Sequence, residues 1–401
     1  MGINMVLFYF KFGWFRCLGW LIALHADVNT GYRTLFAKSI RSCAQVRHCR
    51  LRSMAALLLV AACMPAEAVD YTFPGNLPVS CRGSGGSYTC SELTLAAGDT
   101  ISVASRTSII VNGALTTGYS SQINHGGAVS DLSIAVTGIT DLGPSTSVTA
   151  NLMGEGAVTM GTLGRFTGDI KTQSAAINIG TLSVVNGSLE TVVAGVVNVG
   201  ANSRVSGSII TLSGAINIGA NAQVDGLVSS RHAGVVTLGE SAIVGGNVMT
   251  VSGAINVGAR SNVAGYLLST LAGAVTVGDN AIVGGVGTKS GAITIGTGSR
   301  SVGSVCSSKA GAITLNDNTE VAGNLATRDG AITVGDGSQV KGSVNAVVGA
   351  VTISSSAKVG NVANNVACPQ DLYEASLAPQ SKPTKSIPVI KSREWRHIFM
   401  R

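Results

Sequence analysis

From Val158 to Ile353 the chain repeats a short apolar–polar–apolar triplet set between glycines, and the pattern returns every 18 to 20 residues. The motif reads Gly-Ala-Ile-(Asn/Thr)-Ile-Gly. Its central polar residue falls at Thr159, Asn178, Asn198, Asn217, Thr237, Asn256, Thr276, Thr294, Thr314, Thr333 and Thr352. A second half-motif, Val-x-Gly-x-(Val/Leu/Ile), follows it, as in Val205-Ser-Gly-Ser-Ile209 and Val340-Lys-Gly-Ser-Val344. A doubled period is superimposed: Ser-Gly openings at Ser213, Ser252 and Ser290 alternate with Ala-Gly openings at Ala233, Ala272 and Ala310.

Within each motif the period is two, which is the period of a strand. Ile216 and Ile218 therefore point one way and Asn217 the other; Val205 and Ile209 point inward and the serines between them outward. No 3.6-residue apolar spacing survives the glycines, so helix is excluded as the main element. Two or three short strands per ~19 residues, cornered by Gly, Asn and Asp, describe one coil of a β-helix. The chain is predicted to be an all-β protein, a β-solenoid of about eleven ~19-residue rungs. The crossover preference makes a right-handed coil the expectation. A single coil cannot bury both sides of its apolar row; only stacking can.

Upstream the pattern fades. Thr100-Ile-Ser-Val103 with Val111-Asn-Gly-Ala-Leu115, and Gly138–Gly143 with Val148–Leu152, look like degenerate rungs. Residues 69–155 are expected to form an N-terminal β cap with such rungs, 156–368 the repeats, and 369–401 a disordered basic tail.

Composition fits this reading. Glycine is 52 of 401 residues, charged residues are 12% and aromatics 4%, so the core must consist of small branched side chains. The net charge of +7 belongs to the two ends: 69–380 carry 13 basic and 17 acidic residues, a net −4. The basicity thus gives no reason to expect nucleic acid as a partner.

The N-terminal region reads as an export signal. Arg47, Arg50 and Arg52 precede the apolar run Met54–Cys63; Pro65 then precedes Ala66-Glu67-Ala68, an A-x-A cleavage site. Residues 46–68 are the expected signal peptide, with cleavage after Ala68. Residues 1–45 are read as lying upstream of the true start, near Val46 or Met54. Val60-Ala61-Ala62-Cys63 also fits a bacterial lipobox, which leaves lipidation of Cys63 open. Of the other cysteines, Cys81 and Cys90 close a Gly/Ser loop and are expected to form a disulfide in an exported protein. Cys306 and Cys368 stand about three rungs apart and are left unpaired.

The search for chemistry gives little. His25, His48, His125, His232 and His397 form no cluster, so no metal site is expected. Gly284-Gly-Val-Gly-Thr-Lys-Ser290 lacks the residue order of a phosphate loop and is read as a turn. Asp279, Asp317 and Asp336 recur at one corner without the density of calcium-binding repeats, and corner aspartates ordinarily serve the turn. No catalytic residue, cofactor or small-molecule substrate is expected. The outward Thr/Asn column is the one regular surface feature. Ice-binding solenoids use flat Thr ladders, but here Asn interrupts the threonines, which favours a hydrogen-bonded ladder that solubilises one face.

Asp70-Tyr-Thr-Phe-Pro-Gly-Asn-Leu-Pro78, the Cys81–Cys90 loop, Leu93–Thr100 and the Gly-Ala-Ile-Thr-Ile-Gly repeats together resemble a known group. It is the N-terminal solenoid region of exported bacterial proteins similar to the mannose-sensitive haemagglutinin (MSHA) pilus biogenesis protein Q. The repeats alone also resemble bactofilins, the polymer-forming β-helices. The first resemblance covers about 69–368 and implies a surface or pilus-associated protein of a Gram-negative bacterium; this chain ends in a basic tail where such proteins continue. The expected function is an exported, non-enzymatic structural or adhesive rod at the cell surface or outer membrane, or extracellular. Its partners would be itself, end to end, or a cell-surface or pilus component. The alternative is a bactofilin-like self-assembling scaffold.

Overall fold

The computed structural model describes residues 68–362. The expected extension 1–45, the signal segment before Ala68 and the tail 369–401 lie outside them. Among the described residues the only helical element is a 3-10 turn at Val129–Asp131; the other regular elements are short strands, paired in parallel except in one hairpin.

Each coil contributes three strands, one to each of three faces. In one coil these are Ile216–Ile218 on the front face, Gln223–Val224 on the second and Val228–Ser230 on the third. The front-face strands build a 14-stranded sheet in strict sequence order, and the other two faces join in a 27-stranded sheet. Pairing is parallel and like meets like: Ile216 lies between Val197 and Val236, and Asn217 between Asn198 and Thr237. At ~4.8 Å per coil the front face is about 65 Å long.

The solenoid has about 15 coils, more than the eleven expected. Leu93–Leu95, Leu115–Thr117 and Thr140–Leu142 belong to the same front sheet as the clear repeats. All three keep the period of two, and Gly113, Gly118, Gly138 and Gly143 still flank the last two; only Leu93–Leu95 has lost the glycines. Longer excursions, one holding the 3-10 turn, separate two of them. The part that differs in architecture from the stack is smaller than 69–155. It is the antiparallel hairpin Cys81–Ser84 and Ser87–Cys90, closed by the Cys81–Cys90 disulfide, together with the segment before it. Phe73 and Tyr88 meet edge to face at 4.9 Å over the first coil, both buried. The hairpin covers the free edge of the third face, and Asn76 covers that of the second. Its carbonyl accepts from the Thr72 N–H, and its side-chain amide donates to the Asp70 carbonyl.

Inside, the core is a set of columns: Val, Ile and Leu at successive inward positions stack on one another along the axis, with Ile216, Val205, Ile209 and Val236 all fully buried. The flanking glycines are dictated by coil spacing. A Cβ at Gly214 would sit 1.6 Å from the Gly195 carbonyl oxygen, and one at Gly219 would sit 2.6 Å from the Ala201 nitrogen.

The corner after the front face turns through one left-handed residue per coil, among them Leu163, Leu182, Asn202, Asn221, Ser241, Arg260, Asn280 and Asn318. The next residue is often a buried serine that links coils. Ser203 Oγ accepts from the Ser183 N–H at 3.1 Å and donates to the Gly180 carbonyl at 2.8 Å. Ser261, Ser299 and Ser338 repeat both bonds. A buried hydroxyl in this position is fully used, so the polar column costs the core little.

The corner before the front face explains the doubled period. It alternates in length from coil to coil, as the paired coils Thr211 to Ile216 and Ser230 to Val236 show. In the shorter form a buried threonine hydroxyl donates to the carbonyl three residues on: Thr172 to Ala175, Thr211 to Gly214, Thr250 to Gly253 and Thr288 to Gly291, at 2.6–2.8 Å. In the longer form that geometry is lost. Thr191 reaches Gly195 only at 3.4 Å, and the buried hydroxyls of Ser230 and Ser307 have no partner.

Two substitutions test this account. Ile216→Asp puts an unpaired charge between two coils and should cost ~4 kcal/mol or more; a thermal or urea melt followed by circular dichroism measures it, and an unchanged midpoint would refute inward stacking at that position. Leu182 has φ 58° and is 54% exposed, so Leu182→Asn should stabilise by about 1 kcal/mol, because asparagine tolerates the left-handed region and leucine does not. A lower midpoint for that variant would contradict the corner assignment.

Candidate functional site

The front-face column of outward residues is the longest regular surface of the described chain. Thr159, Asn178, Asn198, Asn217, Thr237, Asn256, Thr276, Thr294, Thr314, Thr333 and Thr352 occupy consecutive coils in register, each exposed or half-exposed. In the clear repeats the residues on either side point into the core, so the column stands on a rigid base. Upstream of Thr159, Thr94, Thr116 and Asp141 extend the column through the first three coils; flanking glycines mark Thr116 and Asp141 in the sequence, and only the apolar–polar–apolar alternation marks Thr94.

The column is not uniform. Asn198 donates through Nδ2 to Asn178 Oδ1 at 2.7 Å, and Asn217 donates to Asn198 Oδ1 at 2.8 Å. This is an amide ladder: each asparagine presents one donor and one acceptor along the axis, and in-register stacking at ~4.8 Å brings them together. Threonine is too short to bridge that spacing, so the Thr stretch from Thr276 to Thr352 presents a row of hydroxyls and methyls to the surroundings.

Charged groups sit on the other faces and pair across coils with opposite sign. Lys171 meets Glu190 at 2.8 Å, and Arg204 meets Asp225 at 2.7 Å. Arg260 pairs with Glu240. Glu320 lies between Lys341 and Arg300. The hydrogen bond from Lys341, with Arg300 adding attraction, holds the Glu320 carboxyl below the usual range against a smaller opposing effect of desolvation.

The corner aspartates serve neighbouring coils. Asp279 accepts from the Thr297 N–H at 2.8 Å, and Asp317 from the Asp336 N–H at 2.9 Å. Asp336 accepts from the hydroxyls of Ser354 and Ser356, which lower its pKa in that order of strength. One oxygen of each carboxylate therefore already has a donor. Among the described residues no group of three or more His, Cys, Asp or Glu gathers at one place. His125 and His232 are both exposed and belong to different coils; His25, His48 and His397 lie outside the described residues. A recess of about 190 Å³ bordered by Met153, Glu155, Lys171, Gln173 and Val192 is smaller than the ~300–1,000 Å³ of ordinary small-molecule sites.

Two expectations need correction. Gly284–Ser290 is not a turn: Ile282–Thr288 is one continuous strand that bends from the second face to the third, with Val283 and Val286 both in the core. Its glycines remove the side chains that would obstruct the bend. Cys306 is not an unpaired thiol; it is disulfide-bonded. Cys63 and Cys368 lie outside the described residues, while Ala68 begins them, exposed. The long corners are a further feature that motif reading missed. In every second coil they carry exposed residues such as Val192, Val193, His232 and Leu271, which gives one edge of the stack a ridge spaced at about 10 Å.

No family model, curated protein or solved structure matches the chain. The resemblance to pilus-biogenesis proteins and to bactofilins rests on the residues quoted for it.

The ladder predicts a contrast between two asparagines. Asn198→Ala removes two amide bonds and should lower stability by about 1–2 kcal/mol. Asn256→Ala, between Thr237 and Thr276, should cost under about 0.5 kcal/mol. Chemical denaturation of both variants measures the difference; equal losses would mean the ladder adds nothing.

Proposed function

We propose that this protein is an exported structural rod that presents its front face, by adhesion or by lateral contact, at a bacterial cell surface. The observation that carries the reading is the polar column, held in register over the whole 14-stranded sheet. A column of small polar groups at fixed spacing is a surface for extended or repetitive partners, such as a polysaccharide, a pilus component or another rod. Small branched cores and glycine corners give length from few kinds of residue, which suits a spacer or display element. The export expectation has the support of the Met54–Ala68 sequence pattern and of the Cys81–Cys90 disulfide, a bond that persists in oxidising compartments. In this reading the protein acts by shape and contact, without catalysis. Pilus association follows only from the family resemblance and is the narrower form of the proposal.

A self-assembling scaffold is the second reading, and one observation favours it. In the last described coil Val351, Ile353 and Val359 are only partly buried, whereas their counterparts Ile332, Val334 and Val340 are at most 1% exposed. An open edge of this kind is a template for another chain. The opposite end is covered by its hairpin, so association through the open edge would join two rods tail to tail and stop there.

Sedimentation with negative-stain microscopy of the chain from Val69 to Arg401 separates these readings. A discrete elongated monomer is the expected outcome. A tail-to-tail dimer would support the second reading, and filaments would overturn both the displayed rod and the covered N-terminal end. Protease shaving of intact cells then tests placement: loss of the protein from untreated-side fractions supports display, and full protection in intact cells refutes it.

A further inference from the structure

Among the described residues Asp99, 3% exposed, is the one buried side chain that carries a formal charge. It stands at the corner position where later coils bury Ser121, Thr146, Ser183 or Ser203, all neutral. Both of its oxygens have donors. Oδ2 accepts from the Ala96 N–H at 2.8 Å, closing the corner Ala96–Asp99. Oδ1 accepts from the Val69 N–H at 2.8 Å, across 30 residues of sequence. Neither donor is a cation. An ionised carboxylate buried among neutral donors lacks the opposite charge that ordinarily accompanies it.

Val69 is the residue that follows the Ala66-Glu67-Ala68 cleavage site. We propose that Asp99 is a built receptor for the α-ammonium group that processing creates at Val69. The site presupposes export, with cleavage after Ala68, and gives that cleavage a structural consequence. Hydrolysis breaks the Ala68–Val69 peptide bond. The oxygen of water leaves with Ala68 as part of a carboxylate, and its two protons convert the Val69 N–H into an ammonium. The nitrogen need not move, because it already lies at hydrogen-bond distance from Oδ1. What changes is its charge: a neutral donor on a carboxylate becomes an ionised one, and such bonds are roughly twice as strong.

The place of this pair in the fold gives it leverage. Val69 leads into Asp70–Phe73, the strand that pairs in parallel with Thr100–Val103 at the N-terminal edge of the second face. The Val69 carbonyl accepts from the Thr100 N–H at 2.9 Å, so both backbone groups of this residue are tied to the first coil. Asp70, next in the chain and exposed, accepts from the Thr100 hydroxyl at 2.7 Å and adds negative charge that favours an ammonium at Val69. In deeper coils a hydroxyl ties the same corner to the coil before it, as Ser203 is tied to Ser183. At Asp99, in the first coil, Val69 takes that place, and a carboxylate replaces the hydroxyl. An unprocessed chain keeps the buried carboxylate without its cation, so processing stabilises the covered end of the rod.

The test is N-terminal sequencing of the protein purified after export, together with competitive acetylation of its amines as a function of pH. The expected result is a chain that begins Val69-Asp70-Tyr71 and whose α-amine titrates above about 9, not in the ordinary ~7.7–8.0 range of an α-amino group. In Asp99→Asn the amine should return to that ordinary range. Should the variant not fold, the parent titration decides alone: an amine in the ordinary range overturns the receptor while cleavage after Ala68 stands. A start at another residue overturns the receptor and leaves export intact; a chain that keeps residues 1–68 overturns both. Stability must follow the sign of the shift. A raised pKa contributes fully below about pH 7.7, and that contribution is lost as pH rises through the folded value. The gap in melting midpoint between the processed parent and Asp99→Asn should therefore narrow from about pH 8 to 10. A gap that stays constant over that interval would assign Asp99 to the turn alone and overturn the proposal.

Discussion

In-register parallel stacking is the constraint on which the rest of this structure depends. Each residue has its own counterpart one coil below and one coil above, at ~4.8 Å. Whatever side chain occupies a position must therefore tolerate a near copy of itself on both sides. Branched aliphatic side chains do so by packing into columns, and asparagine does so by joining amide to amide, as at Asn178, Asn198 and Asn217. Charge does not tolerate a copy, because like charges stacked at this spacing repel. The low charged fraction of 12% and the sign alternation follow: Lys171 is stacked on Glu190, and Arg300 on Glu320.

The same constraint sets the backbone at the corners. Where coils approach most closely, as at Gly195 and Gly214, no Cβ fits between them. Where the chain must turn through the left-handed region, Asn, Ser and Gly recur, and Leu163, Leu182 and Arg260 are local exceptions that the stack tolerates. Each buried corner serine satisfies a donor and an acceptor of the preceding coil, so the coils are tied by side chains as well as by sheet bonds. At the opposite corner, threonine closes the short form neatly while Ser230 and Ser307 in the long form keep no partner. The doubled period is thus a record of two corner geometries that alternate along the axis.

Much of this was legible in the sequence, since a repeat exposes its own register. The triplet Ala215–Gly219 alone separates inward Ile216 and Ile218 from outward Asn217, and the 18–20 residue return places each under its counterpart. Legibility failed where the physics permits different letters. Leu93-Thr-Leu95 stacks as a front-face strand yet has none of the glycines of Gly-Ala-Ile-Asn-Ile-Gly, because the apolar–polar–apolar alternation is what the sheet requires. Gly284–Gly287 read as a turn because glycines usually mark one, whereas here they let a strand bend without a break. The pairing of Cys306 was illegible for another reason: no spacing within the repeat encodes it.

The stack also limits what kind of function the front face can have. A site that binds a small molecule needs unlike groups converging on one point, and in-register stacking produces like groups in a line. Convergence can arise only where the repeat is broken, at the hairpin end or along the alternating long corners. The line itself, from Thr94 through Asn217 to Thr352, offers a hydroxyl or an amide at every coil but that of Asp141. Each such contact is weak in water, about 0.5–1.5 kcal/mol net for a neutral hydrogen bond. Useful affinity then requires a partner that matches the spacing over many coils at once, so that the contacts act together. An extended polymer or a second regular protein surface meets that condition, and a single small ligand does not.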